Sequence, residues 1–125
     1  LKGIAKKYDI VIVDSSPTIN QELLGVMLAS DKLFVITTPD PITVNMTAHA
    51  TKMAKEKGTP ILGVILNKVK NKKYESKIEH IEKKAKAPVI AKIRDNLKIL
   101  ESLASVTPVV ISYPHSKITR EFNTR

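Results

Sequence analysis

Cysteine is absent from the 125 residues, which excludes a disulfide framework, a thiolate metal site and an iron–sulfur cluster. Tryptophan is also absent and aromatics make up only 4% of the chain, so no aromatic platform interleaves its lysines for stacking on single-stranded nucleic acid. No apolar run approaches the ~20 residues that a membrane-spanning helix needs, and no signal peptide is recognisable. The four glycines (Gly3, Gly25, Gly58, Gly63) are scattered, and none sits in a glycine-rich run of the kind that cradles phosphate ahead of a helix. His49, His80 and His115 are dispersed, without the spacing of a metal site or a catalytic triad, and read as surface or packed structural residues.

What remains is an apolar and basic α/β pattern. Hydrophobic residues make up 42% of the chain with no second composition regime, so residues 1–125 read as one domain. Short Val- and Ile-rich runs predict strands near 9–14, 33–37, 61–66, 89–93 and 108–112. Helical patterns lie between them. Residues 20–29 carry Leu23, Leu24, Met27 and Leu28 behind a capping Asn20, with Glu22 in the first turn. Pro41 to Lys57 opens on a proline and meets Gly58 as its stop. Tyr74 to Lys86 shows Ile78, Ile81 and Ala85 on one stripe ahead of Pro88, and Leu97, Leu100, Leu103 and Ala104 form a shorter stripe. Such alternation predicts a doubly wound, mostly parallel sheet with helices on both faces.

Two places carry chemistry. Ile10 to Val13 is an unbroken β-branched run, the pattern of a strand buried on both faces, and it ends in Asp14. At the C-terminal edge of a parallel sheet a carboxylate is placed to organise a metal ion or its waters beside a phosphate; a turn-starting aspartate is the alternative. Asn67-Lys68-Val69-Lys70 departs from the guanine-reading Asn-Lys-x-Asp at its fourth position. Lys70 can only donate and would face guanine's own donors, so adenine is favoured. Asn67 can accept from the adenine amino group and donate to a ring nitrogen, and the stem of Lys68 can lie along the base. The alternative for Asn67 is a strand-end turn.

The landmarks resemble, in order, the second half of the MinD/ParA group of P-loop ATPases. Asp14-Ser15-Ser16-Pro17 resembles the Walker B and switch II segment, and Thr37-Thr38-Pro39-Asp40-Pro41 resembles the family's Thr-Thr-Pro-Glu-Pro loop. Ile65-Leu66-Asn67-Lys68 is similar to its base-reading strand end. Ile93-Arg94-Asp95-Asn96 with Thr107-Pro108-Val109-Val110 is similar to its Ile-Pro-Glu-Asp loop and downstream Gly-x-Pro-Val-Val. Arg94 stands where proline is usual and Asn96 where aspartate is usual. The resemblance implies an incomplete P-loop NTPase-like fold and an ATP-binding and ATP-hydrolysing molecular switch for cell-division site placement or DNA partitioning. Asp14 would hold Mg²⁺ through water, Ser15, Ser16, Pro17 and Thr18 would form switch II, and Asn67, Lys68, Ile93, Arg94 and Asp95 would bind the nucleotide, ATP. Taken alone, Ser15 to Pro17 read as an ordinary turn.

The family's phosphate-binding lysine, signature lysine and switch I aspartate have no counterparts in this sequence. Leu1 to Lys7 reads like the tail of a helix begun earlier, and the expectation is a C-terminal portion of a larger ATPase or one of two polypeptides that make it, inactive by itself. The implied partners are the missing phosphate-loop half and a nucleotide-dependent homodimer, in the cytoplasm. In the family the phosphate-loop strand lies between the strands at 9–14 and 33–37, so this chain by itself leaves apolar strand edges unpaired, which invite pairing with another chain. A non-catalytic interaction or regulatory module on the same fold is the other functional class.

The net charge of +9 is concentrated between Lys52 and Lys98, where 14 basic residues face five acids. Nonspecific DNA is one partner for such a face, placing the protein at the nucleoid; a solvated lysine-rich surface is the other reading. Ile118 and Phe122, with Lys117, Arg120 and Arg125 nearby, raise a membrane surface as a further partner, against the alternative of a final helix packing onto the sheet.

Overall fold

The computed structural model describes residues 2–15 and 20–123. In chain order the elements are α1 (Lys2–Ala5), α2 (Gln21–Ala29), β1 (Leu33–Thr37), α3 (Pro41–Glu56), β2 (Ile61–Val69), α4 (Ile78–Ala85), β3 (Val89–Arg94), α5 (Leu97–Ala104), α6 (Val109–Ser112) and α7 (Lys117–Phe122). The three strands form one parallel sheet in the order β1-β2-β3, each joined to the next by a helix. Parallel neighbours cannot be joined by a tight turn, so α3 and α4 are the crossovers that the alternation predicts.

Local chemistry sets the helix boundaries. Asn20 accepts the Leu23 N–H at 2.9 Å to start α2, and Asp40 accepts the Thr43 N–H at 2.9 Å with Pro41 in the first turn of α3. Gly58 closes α3 at φ 77°, the left-handed conformation that glycine adopts without a Cβ penalty. The helix expected from Tyr74 begins only at Ile78. The Glu75 carboxylate is engaged with the Lys70 and Lys72 N–H groups at 2.8 and 3.0 Å, which holds residues 70–75 as a closed loop rather than a first helical turn.

The core lies where α3 and α4 pack on the sheet: Val44 from α3, Val64 and Leu66 from β2, and Ile81 and Ala85 from α4. Ile81 and Val64 are fully excluded from water, and each such side chain contributes about 1.5–3 kcal/mol by burial. A buried polar contact joins the same layers, with the Thr47 hydroxyl 2.7 Å from that of Thr37 and donating to the Thr43 carbonyl at 2.9 Å. At the other end of the sheet the Thr59 hydroxyl donates to the Met27 carbonyl at 2.9 Å, tying α2 to the turn before β2. α7 packs against β3 through the fully buried Ile118.

Two expected strands are corrected. Residues 10–15 have no assigned secondary structure, and Ile10 and Ile12 are 78% and 90% exposed. A strand needs a neighbour to satisfy its N–H and C=O groups, and among the described residues none pairs with this run. Residues 108–112 form a helical turn instead of a strand, because the Pro108 carbonyl accepts from Ile111 and Ser112 at 2.9 and 3.0 Å. Proline cannot donate to a ladder, and its fixed φ suits the entry to a helix.

The sheet face opposite α3 is partly bare. Alternation along β1 turns Phe34 and Ile36 away from α3, and they are 55% and 65% exposed. Gly63 on β2 pairs with Phe34 and lies beneath the Ile90 side chain. A Cβ at position 63 would stand 2.6 Å from Ile90 Cγ2 and 2.9 Å from Cγ1. Both are branches of one Cβ, so rotation of the side chain cannot clear them together. Gly63→Ala is therefore expected to lower stability by about 1–3 kcal/mol. In a double-mutant cycle read by urea unfolding, Ile90→Ala should recover most of that loss; additive effects would show that the close approach is not the cause.

Candidate nucleotide site

β2 and β3 run in the same direction, so their C-terminal ends meet on one edge of the sheet. The register pairs Val69 with Arg94, and the Asp95 N–H donates to the Val69 carbonyl at 3.0 Å. The Lys70 ammonium lies 3.5 Å from the Asp95 carboxylate. The two segments singled out for base binding, Asn67–Lys68 and Ile93–Asp95, are thereby brought side by side. Asn67 is half-buried, and its Oδ1 accepts the Lys68 N–H at 2.9 Å. Lys68 adopts φ 54°, a turn away from the extended conformation that leaves its side chain exposed.

The loop after β3 is held from two sides. Asn96 Oδ1 accepts the Lys98 N–H at 3.0 Å and caps α5. The Glu121 carboxylate on α7 accepts both the Arg94 backbone N–H, at 2.8 Å, and its guanidinium Nε. Sequence reasoning missed Glu121: it lies 27 positions from Arg94, and a single acid on a short helix carries no signal of such a pairing. The arrangement leaves Arg94 engaged with protein, while Ile93 is half-buried and Asp95 faces Lys70.

Other expected site residues are not brought to this cluster by any described contact. Asp14 is exposed at the end of the unpaired run and Ser15 is half-buried. Ser16, Pro17 and Thr18 of the expected switch segment lie outside the described residues. Among the described residues no three His, Cys, Asp or Glu side chains gather into a metal cage. A single Asp14 carboxylate, a hard oxygen ligand, fits Mg²⁺ in the way that suits this ion, which keeps several waters and takes one or two carboxylates beside phosphate oxygens. No helix among the described residues is long and apolar enough to cross a membrane. Ile118 is buried in the protein while Phe122 is 44% exposed, so the two do not form a common exposed apolar face.

The loop after β1 is built around Asp40. Its carboxylate accepts from the Thr38 hydroxyl and the Thr43 N–H, and these bonds hold its pKa down, the Thr38 hydroxyl foremost, to about 2 from an ordinary 3.8. The Pro39 carbonyl in the same loop accepts the Ser76 N–H at 2.7 Å, joining the loops that follow β1 and β2. The acid before a helix-opening proline identifies Asp40 as a cap in the sequence; the Thr38 donor is visible only in the fold.

The comparisons with known proteins follow the same geometry. An AAA domain family model matches residues 3–102. An uncharacterized ATP-binding protein of Methanocaldococcus jannaschii is 31% identical over 116 residues, which are 93% of this chain and 44% of that protein. Among solved structures, the septum site-determining protein MinD of Pyrococcus horikoshii in complex with Mg-ADP superposes with a TM-score of 0.86 at 25% identity, over 97% of this chain and 50% of that one. A ParA family ATPase of Chlorobium tepidum gives 0.80 at 26% identity, over 94% and 49%. The chain spans about half the length of the curated relatives it matches.

The Asp40 cap generates a pH prediction. A carboxylate whose pKa is depressed by folding contributes stability above its unfolded pKa of about 4 and loses it as the pH falls toward 2. Asp40→Ala should cost about 1 kcal/mol at neutral pH, and the gap from the parent should close between about pH 4 and 2 in thermal melts; a constant gap would show that the ionised cap is not responsible.

With a family model matching most of its length and a parallel sheet that superposes on MinD and ParA structures, the chain belongs to the AAA domain family and is of the MinD/ParA P-loop ATPase type.

Proposed function

We propose that this chain supplies the Mg²⁺-organising carboxylate, the γ-phosphate-sensing loop and the adenine pocket of an ATP-driven molecular switch. The observation that carries the reading is the juxtaposition of Asn67–Lys68 with Ile93–Asp95 at the C-terminal sheet edge, in a fold that superposes on a MinD complexed with Mg-ADP. In open parallel sheets that edge is where nucleotides bind.

In this reading Asn67 exchanges its bond to the Lys68 N–H for the adenine edge, accepting through Oδ1 and donating through Nδ2. Lys68 lays its aliphatic stem along the base, and the backbone of Ile93–Asp95 forms the opposite wall, braced by Glu121. Asp14 would hold Mg²⁺ through its water, and the ion would supply neutralisation of the phosphate charge. The Ser15–Thr18 segment senses the γ-phosphate, and that signal biases a homodimer. The phosphate cradle comes from a segment outside this chain, on the same or a second polypeptide, that lies along the side of β1 with which no described strand pairs. The cellular role is placement of the division site or partitioning of DNA from the cytoplasm.

The test joins this chain to the family's phosphate-binding half, in one polypeptide or two. Asp14→Ala should lower Mg²⁺-dependent ATP turnover by roughly 10–100-fold, the loss usual for a group that acts on a metal through another ligand. Asn67→Ala should weaken ATP binding roughly tenfold, from one lost buried hydrogen-bond set. The 125-residue chain alone should hydrolyse no ATP. Turnover by the chain alone, or full activity of both variants, would refute the assignment.

A further inference from the structure

A second cluster of lysines lies away from the sheet edge, on the outer surface of the two crossover helices. Between the C-terminal halves of α3 and α4 lies an open recess of about 360 Å³. Its floor is Ala48 with Thr51 and Ala85 beneath it, the last two almost wholly buried and the Thr51 hydroxyl spent on the Ala48 carbonyl at 3.1 Å. Four lysines stand around that floor: Lys52 and Lys55 from α3, Lys84 on α4 and Lys86 at its left-handed C-cap. Against them stands one carboxylate on the rim, Glu56, 3.8 Å from Lys52.

Two hydrogen bonds fix the groove. Lys55 Nζ donates to the Lys86 carbonyl at 2.6 Å, and Lys84 Nζ donates to Asn45 Oδ1 on α3. Both acceptors are neutral, so the bonds hold the ammonium groups in place across the groove without cancelling their charge. A cation near a helix C-terminus is favoured by the helix dipole, which accounts for a lysine on either helix. It does not account for two helices presenting theirs across one cleft, where the like charges raise each other's cost.

We infer that the α3–α4 groove is a docking site for an acidic peptide segment of a partner protein, one that places apolar side chains over Ala48 and the lysine stems and carboxylates on the flanking ammonium groups. Charge complementarity selects the occupant, and the shape selects its class. The cations flank a recess with a small floor, which side chains can enter and which the rigid backbone of a duplex would span without filling. The inference does not rest on the nucleotide reading, since the groove uses none of the residues assigned to that site.

The test is fluorescence anisotropy of the purified protein with a labelled peptide in which glutamates alternate with pairs of leucines. Binding at low salt that weakens roughly tenfold or more between about 50 and 300 mM salt is expected. The double variant Lys52→Glu with Lys84→Glu should lose at least about tenfold in affinity, with Lys52→Gln and Lys84→Gln intermediate, while Lys32→Glu outside the groove binds like the parent. Circular dichroism establishes that each variant is folded. Absence of binding at low salt, equal binding by the folded double variant, or displacement of the peptide by a duplex DNA that binds more tightly would overturn the proposal.

Discussion

Central placement of β2 is the constraint on which the rest of the structure depends. It is paired on both sides, to β1 and to β3, and its Val64 and Leu66 side chains form the floor onto which α3 and α4 pack. The parallel direction imposed by the crossovers sends the ends of β2 and β3 to one edge. Asn67 and Asp95, nearly thirty positions apart in the chain, are neighbours only because Val69 faces Arg94 in that ladder. Gly63 is part of the same constraint: it lets β3 bring Ile90 over the sheet where any side chain would hold it off.

Excess apolar surface is the other large feature. Phe34 and Ile36 on β1, the run from Ile10 to Val13, and Leu97, Leu100 and Leu103 on α5 are all more than a third exposed. Such an extent of uncovered apolar side chains is uncommon on a self-sufficient monomer and marks an interaction surface. Among the described residues β1 is paired on one side, and an unpaired strand edge is a template for another strand. These observations agree with the share of the relatives' length that the chain covers.

Much of this was legible in the sequence, for identifiable reasons. The three strands that formed were the short Val/Ile runs with a partner on at least one side, and the caps at Asn20, Asp40 and Gly58 are local chemistry that needs no tertiary context. The run at 10–13 carries the strongest strand signal of all and pairs with none of the described residues, because pairing belongs to two segments and the sequence of one is silent about the other. Val109–Ser112 has strand-like composition, yet Pro108 and the carbonyl bonds it accepts turn it into a helix. In the candidate site, Asn67 and Lys68 could be chosen by their donors and acceptors. The hold of Glu121 on Arg94 could not, since it depends on where α7 comes to rest.

That hold has a consequence for how the molecule's parts communicate. One carboxylate on α7 fixes the backbone and the guanidinium of the residue that opens the loop between β3 and α5. The last helix and the rim of the candidate base pocket are therefore thermodynamically linked. Any contact that draws α7 away from β3 releases Arg94, and by reciprocity any ligand that orders Arg94 in place favours the docked position of α7. α7 thus acts as a latch on the loop beside it.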